Sequence, residues 1–293
     1  MRATRRGLLG GGLVAGVGIG TLAACSEGEP PTTTRRSEGV TGAPTTPERR
    51  RIEYGQDPSQ FGELHLPSGE PRGVVVVVHG GFWRSQYDLS LGTPLAVDLA
   101  RRGWAAWNIE YRRVGSGPGG GGGAPETFDD IAAAVDALRE TGLDLSTVVA
   151  VGHSAGGHLA AWAASRTRDE RWAGGVGLTG IVSQAGVLDL RRAISEGVGQ
   201  TAVPDLLGTD PDPAAVDPAY DPQQQLPLDV PLWCVHGRED DIVPINQSEE
   251  YVAAATAAGA SAELVAVDGD HFVVIDPAGD AWARIVAILD ALA

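Results

Sequence analysis

The sequence predicts an α/β protein: a mostly parallel central sheet with helices on both faces and a small helical cap excursion. Residues 74–78 are five consecutive valines, and a β-branched run without polar alternation is typical of a strand buried on both faces. Further strand-like runs alternate with helical patterns along the chain, which favours parallel pairing. A length of 293 residues is enough for one such domain plus a processed leader.

The first 24 residues are predicted to be an export signal that does not belong to the fold. A basic head with three arginines precedes residues 7–24, an uncharged, glycine-rich apolar stretch that is short for a bilayer span. The Thr-Arg-Arg-Gly-Leu-Leu run at residues 4–9 resembles a twin-arginine signal. The Leu-Ala-Ala-Cys sequence that ends at Cys25 resembles a bacterial lipobox. We expect an exported, extracytoplasmic lipoprotein, lipidated on Cys25. The alternative is a plain secretory signal with a chance cysteine.

Residues 25–50 are predicted to be a lipid-anchored flexible linker, because Ser, Glu, Gly, Pro, Thr and Arg dominate there without an apolar period. The folded domain is expected over residues 51–293. With Cys25 lipidated, Cys234 stands alone in an apolar run, which predicts a buried small hydrophobe and no disulfide.

The charge balance restricts the possible partners and mechanisms. The formal net charge is −16, so we expect no binding to nucleic acid, and contact with a membrane only through the lipid anchor. The chain contains no lysine, which removes Schiff-base chemistry and a Ser-Lys dyad from the possible mechanisms.

The remaining elements follow from hydrophobic periodicity. Predicted central strands cover residues 73–80, 104–111, 147–151, 174–184, 231–236 and 262–267, and an antiparallel edge covers residues 52–54 and 61–66. Predicted helices cover residues 95–102, 126–139, 155–166, 247–258 and 282–292. In the second of these helices, Thr127 is the predicted N-cap, ahead of two acidic residues.

Two segments lack a clear periodicity. Seven of the eleven residues at 115–125 are glycine, which indicates either low-complexity drift in a glycine-rich protein or a mobile flap near the site. Residues 195–230 are rich in Pro, Asp and Gln, and are predicted to form the small helical excursion or cap.

A Gly-x-Ser-x-Gly motif connects the strand at residues 147–151 to the helix that follows it. In this motif Ser154 is the predicted nucleophile, held on a tight turn where side chains at Gly152 and Gly156 would collide with neighbouring backbone. The N-terminus of the following helix faces the reaction centre, so the backbone N–H of Ala155 is a predicted oxyanion donor. The alternative is a glycine-rich turn with an incidental serine.

A second glycine motif follows the valine strand. Lipases and esterases place a His-Gly-Gly motif after an early central strand, and here the chain reads His79-Gly80-Gly81-Phe82. We expect Gly80, Gly81 and Phe82 to form the oxyanion loop, with Gly81 or Phe82 as the donor. His79 is predicted to brace this loop by hydrogen bonds rather than to act as a base.

A serine hydroxyl needs a base near neutral pH, and histidine is the obvious choice. Of the six histidines, His271 lies just after the last predicted strand, whereas His153 adjoins the nucleophile and is expected to point elsewhere. The acid should follow the strand at residues 231–236, where Asp240 and Asp241 are both in range.

The motifs HGGFW, GHSAGGHL, the His-Gly-x-x-Asp-x-x-Val-Pro run that includes Asp240, and His271-Phe272 together resemble the α/β-hydrolase superfamily, esterase and arylformamidase-like branch. The resemblance favours Asp240 over Asp241 as the acid of a Ser154, Asp240 and His271 triad. It implies hydrolysis of small-molecule carboxylic esters or small amides through an acyl-enzyme, without metal or organic cofactor. An exported lipoprotein departs from formamidases that act on an intracellular metabolite, which favours an esterase.

Three other functions remain open from sequence. The nearest alternatives are an arylformamidase-like amidase and a small peptidase of the prolyl oligopeptidase kind, although the chain has no room for a propeller domain. The alternative from another class is a non-catalytic binding protein on the same fold.

Overall fold

The structure is a computed structural model that describes residues 48–293. The predicted export signal, the lipidation of Cys25 and the linker up to residue 47 lie outside the described residues. The first strand begins at Glu48, three residues before the predicted start of the domain. Within the described part of the chain, no helix combines the length and the apolar character needed to cross a membrane.

One eight-stranded sheet organises the described residues, in the order β1-β2-β4-β3-β5-β6-β7-β8. Strands β3 to β8 are parallel, and β1 and β2 add the predicted antiparallel edge. The strands are β1 Glu48–Glu53, β2 Phe61–Leu66, β3 Val74–Val78, β4 Ala105–Ile109, β5 Val148–His153, β6 Gly180–Gln184, β7 Leu232–Gly237 and β8 Ala262–Val267. The predicted α/β class and mostly parallel sheet are confirmed.

One predicted strand was too long at its start. The hydrophobic pattern predicts a start at residue 174, whereas β6 begins at Gly180. Gly174 and Gly175 adopt φ angles of 82° and 86°, which lie in the left-handed region and interrupt an extended chain.

The described residues contain seven α-helices. They are α1 Thr93–Arg101, α2 Glu126–Asp136, α3 Ala155–Ser165, α4 Leu190–Glu196, α5 Ala202–Leu207, α6 Asn246–Ala257 and α7 Asp280–Leu292. Helix α5 and three short 3₁₀ turns between Pro213 and Gln225 form the predicted helical excursion. The N-cap prediction for Thr127 was wrong. Helix α2 begins one residue earlier, and the Thr127 hydroxyl instead donates to the carbonyl of Arg112 at 2.7 Å.

The five valines of β3 show why this strand lacks polar alternation. Val74, Val76 and Val78 pack into one core layer together with residues of α2 and α3, such as Phe128 and Leu159. Val75 and Val77 pack into the opposite layer with residues of α1 and α7. Both faces of β3 are therefore buried. Strand β3 lies beside β5, the strand that leads to Ser154.

Candidate active site

Ser154 lies on the sharp turn between β5 and α3. Its φ and ψ angles are 56° and −120°, a sparsely populated region that costs a non-glycine residue about 1–3 kcal/mol. A Cβ atom on Gly152 would collide with the backbone of Gly156, and one on Gly156 would collide with the carbonyl oxygen of Val78. Glycine at both positions therefore allows β5, β3 and α3 to come close enough to force this turn.

The loop after β3 lies directly against the turn of Ser154. A Cβ atom on Gly80 would stand 3.0 Å from the Ser154 Cβ, and the Gly81 backbone has a φ of 113°. The backbone hydrogen bonds of this loop use the N–H groups of Arg84, Ser85 and Tyr87, and leave those of Gly81 and Phe82 without a backbone acceptor in the described residues. Ala155 is the first residue of α3, so its N–H has no partner within the helix.

His79 braces this loop, as the sequence predicts. Its Nδ1–H donates to the Gly80 carbonyl at 2.8 Å, and its ring stacks on Tyr111 at 4.5 Å between centroids. The Tyr111 hydroxyl in turn donates to the His79 carbonyl at 2.8 Å. Burial and the neighbouring Arg113 guanidinium lower the pKa of His79 to about 3. Its two ring nitrogens face the Gly80 carbonyl and Glu110, which fits a bracing role rather than that of the base.

The glycine-rich segment between residues 115 and 125 supports the same region. The Arg113 N–H donates to the Gly119 carbonyl at 2.8 Å, and the Gly122 N–H donates to the Arg113 carbonyl at 2.8 Å. A Cβ atom on Gly122 would overlap the backbone of Arg112. The segment is thus a hydrogen-bonded turn around Arg113. The Arg113 guanidinium pairs with Glu110, whose Oε1 lies 3.1 Å from His79 Nε2. It does not line the pocket of Ser154.

His271 and Asp240 lie side by side at the carboxyl edge of the sheet, after β8 and β7. The His271 Nδ1–H donates to Asp240 Oδ2 at 2.6 Å, and both residues are buried. Asp240 Oδ1 accepts from the backbone N–H groups of Ile242 and Val243 at 2.9 and 2.8 Å. Asp241 is exposed and makes no hydrogen bond to His271. Of the two carboxylates that the sequence leaves in range, Asp240 is the one that meets the imidazole.

A third group at this carboxylate was missed by sequence reasoning. His236 Nε2 lies 3.1 Å from Asp240 Oδ2 and 2.9 Å from the Val243 carbonyl, so the proton must be on Nε2. His236 Nδ1 then accepts from the Ser248 hydroxyl at 2.7 Å. Burial opposes ionisation of Asp240, but the hydrogen bonds from His236 and His271 outweigh it and hold the pKa of Asp240 well below its usual value.

The expectation for His153 needs correction. The sequence suggests that it points elsewhere, yet its ring lies 4.5 Å from the His271 ring and lines the same pocket as Ser154. Its Nε2–H donates to the His271 carbonyl at 3.0 Å, so His153 fixes the backbone of the loop that carries His271. Burial and the nearby His271 lower the pKa of His153 to about 3, which keeps it neutral.

Ser154 and His271 line one pocket, with a volume of about 200 Å³. No hydrogen bond joins the Ser154 hydroxyl to the His271 imidazole in residues 48–293, and catalytic hydrogen bonds of free enzymes often tighten only with substrate. No group of three or more metal-ligating side chains comes together in the described part of the chain. Cys234 is buried, as predicted, and burial raises the pKa of its thiol to about 12.

The sheet order, the strained serine turn after β5 and the histidine after β8 define an α/β-hydrolase of the esterase branch. The BD-FAE family model matches residues 63–254, about two thirds of the chain, and the chain belongs to that family.

A curated relative with a related sequence is the isoprenylcysteine alpha-carbonyl methylesterase ICME of Arabidopsis thaliana. It is 27% identical over 243 residues, which cover 75% of this chain and 55% of the relative. The chain spans about half the length of the first curated relatives that it matches.

Solved structures share the fold. A truncated carbohydrate esterase from gut microbiota superposes with a TM-score of 0.72 at 19% identity, covering 86% of this chain and 98% of that one. Esterase B from Lactobacillus rhamnosis superposes with a TM-score of 0.72 at 21% identity, covering 86% of each chain. At these identities the likeness is one of fold.

Proposed function

We propose that the protein is a serine esterase that cleaves small carboxylic esters through an acyl-enzyme, with Ser154, His271 and Asp240 as its triad. One observation carries the proposal. The Nδ1 side of His271 is bonded to the Asp240 carboxylate at 2.6 Å, while His271 and Ser154 line the same pocket. An imidazole held in this way has the correct tautomer to accept a proton on Nε2.

The reaction follows from these positions. His271 Nε2 takes the proton of the Ser154 hydroxyl, and Oγ attacks the acyl carbon to give a tetrahedral oxyanion. The N–H groups of Ala155 and of Gly81 or Phe82 are placed to donate to that oxyanion. His271 then protonates the leaving alcohol, and the acyl-enzyme is hydrolysed by a water that His271 activates in the same way. Asp240 stays ionised throughout and stabilises the imidazolium.

The strained backbone of Ser154 supports a catalytic role over a non-catalytic one. Ser154 keeps a φ of 56°, where glycine is less costly, on a turn that lines the pocket. The relative named as a methylesterase supports an ester over an amide as substrate. An arylformamidase-like amidase or a small peptidase remains the alternative, and an amide with the same acyl group separates these activities.

We propose separately, from the sequence alone, where the protein is located. The basic head, the apolar run and Leu-Ala-Ala-Cys support export and lipidation on Cys25, which would place the domain on the outer face of a membrane. Labelling of expressing cells with a palmitate analogue tests it. The wild-type chain should be labelled and a Cys25→Ser chain should not, and equal labelling of both would contradict it.

Replacement of Ser154 by alanine tests the catalytic proposal. Turnover of p-nitrophenyl acetate by Ser154→Ala should fall by at least about 10⁴-fold, because no other hydroxyl takes over the attack. The far-ultraviolet circular dichroism spectrum should be unchanged. Ser165→Ala is a matched control, since Ser165 is also a buried serine but lies at the far end of α3, and it should keep wild-type turnover. Retained turnover in Ser154→Ala would remove Ser154 from the mechanism.

A further inference from the structure

The backbone at the end of the oxyanion loop is strained. Phe82 and the residue after it, Trp83, have φ angles of 54° and 56°, in the left-handed region that bulky side chains seldom adopt. Only glycine takes this conformation without a steric cost. Such a conformation persists where the surrounding structure fixes it from several sides. The contacts of these two residues therefore identify what holds the loop in place.

The segment after β4 fixes the chain on one side of the loop. Trp83 is buried, and its carbonyl accepts from the Val114 N–H at 2.8 Å. The Ser85 N–H in turn donates to the Val114 carbonyl at 2.9 Å. Phe82 itself makes no backbone-to-backbone hydrogen bond within residues 48–293, so its position depends on the packing of its ring.

The ring of Phe82 packs on the connection between α4 and α5. We call residues 197–201 the cap connection. Gly199 of the cap connection has a φ of 65°, and a Cβ atom placed on it would stand 2.5 Å from both Cδ1 and Cε1 of Phe82. The ring therefore occupies the space that a side chain at position 199 would need.

Arg84, two residues after Phe82, faces the same connection. Its Nη2 lies 3.4 Å from the Thr201 hydroxyl, 3.5 Å from the Gly199 carbonyl oxygen and 3.8 Å from the Asp205 carboxylate. The Thr201 hydroxyl donates to that carboxylate at 2.7 Å. The oxyanion loop and the cap connection thus meet through one ring contact and one guanidinium group.

We propose that Gly199 is a positioning residue for the oxyanion hole, because the Phe82 ring holds its place only against a bare backbone at that position. The proposal rests on the esterase function proposed above. Gly199 does not line the pocket of Ser154, so it acts through Phe82 and not on the substrate. A side chain at position 199 would displace the ring and the strained backbone of the proposed donors with it. Misplacement of a reacting group by about 1 Å can cost about 10²-fold in rate.

Gly197, two residues earlier in the cap connection, provides a matched control. Its φ of 71° is close to the 65° of Gly199, so alanine is strained to a similar degree at both positions. Nothing lies within 4 Å of a Cβ atom placed on Gly197, whereas the Phe82 ring fills that space at Gly199. The two alanine variants therefore differ in the ring contact.

We would measure kcat and KM of both variants for p-nitrophenyl acetate, per active site titrated with a fluorophosphonate probe. The kcat of Gly199→Ala should be at least about fivefold below that of Gly197→Ala, with KM of the two within about twofold of each other. A smaller difference in kcat would overturn the proposal, and so would a loss that lies in KM. If the wild type did not turn over p-nitrophenyl acetate, the esterase function itself would fall.

A transition-state analogue separates positioning of the oxyanion hole from a general loosening of the fold. A trifluoromethyl ketone adds to the serine, and the oxygen of the adduct lies where the oxyanion forms. Its Ki should therefore rise in Gly199→Ala by about the factor by which kcat/KM falls. An unchanged Ki beside a reduced kcat would overturn the proposal.

Removal of the ring gives a test that does not depend on the folding of Gly199→Ala. Phe82→Ala should itself lose at least about fivefold in kcat, because the contact with the cap connection is gone. In that background, Gly199→Ala should change kcat by less than about twofold, since there is no ring left to displace. A wild-type kcat in Phe82→Ala, or losses that multiply in the double variant, would overturn the proposal.

Discussion

Replacement of Asp240 by asparagine should separate the role of this carboxylate from that of its neighbour Asp241. Both oxygens of Asp240 act as acceptors. Oδ1 accepts hydrogen bonds from two backbone N–H groups. Oδ2 accepts from the His271 Nδ1–H at 2.6 Å and from the His236 Nε2–H at 3.1 Å. An asparagine would keep its oxygen toward the two fixed backbone donors and turn its NH₂ group toward His271.

That NH₂ group requires a lone pair on Nδ1, so the imidazole would carry its proton on Nε2, the atom that must accept the serine proton. We expect kcat/KM for p-nitrophenyl acetate to fall about 10⁴-fold in Asp240→Asn, equivalent to about 5.4 kcal/mol of transition-state stabilisation. Asp241→Asn is the matched control and should stay within about twofold of the wild type, because this side chain is exposed and does not contact His271. Asp240→Asn within tenfold of the wild type, or an equal loss in Asp241→Asn, would refute the reasoning.

Three further predictions concern stability, each measured by urea denaturation. Ser154→Gly should be more stable than Ser154→Ala by about 1 kcal/mol, because glycine relieves the φ of 56°; an equal or lower stability would argue against strain. Gly156→Ala should lose at least about 2 kcal/mol, since its Cβ meets the Val78 carbonyl, and a neutral effect would contradict the packing. Burial raises the pKa of Asp221 to about 6, so its neutral form is favoured in the fold and stability falls as pH rises from about 4 to 6. Asp221→Asn should remove that fall and gain up to about 3 kcal/mol at pH 8, and an unchanged pH dependence would speak against it.

The sequence predicts the central strands well because they are buried on both faces, as the run of valines at Val74–Val78 shows. The bounds of Phe61–Leu66 and Ala262–Val267 are also predicted exactly, although these two strands are only partly buried. The errors fall where backbone conformation overrides composition. Residues 174–179 are apolar enough for a strand, but Gly174 and Gly175 turn the chain. Thr127 has cap chemistry, yet its hydroxyl bonds to Arg112.

In the candidate site, too, the sequence identifies some residues and misses others. Ser154, His271 and the loop at Gly80–Phe82 can be identified from motifs, because a tight turn and a bare backbone require glycine at fixed spacing. The roles of His236 and His153 could not be assigned from the sequence. His236 contacts Asp240, and His153 donates to the carbonyl of His271 in the loop after β8. Such contacts depend on the three-dimensional packing of the loops. The His-Gly-x-x-Asp spacing was the available signal for His236, because it places both residues at the end of β7.

Covalent labelling of the nucleophile tests the central claim most directly. The purified protein would be treated with a fluorophosphonate probe, digested and examined by tandem mass spectrometry. We expect one stoichiometric adduct on Ser154, and its formation should be at least about 10²-fold slower in His271→Ala because the base is gone. An unlabelled Ser154, or an adduct on another residue that accompanies full esterase activity, would contradict it.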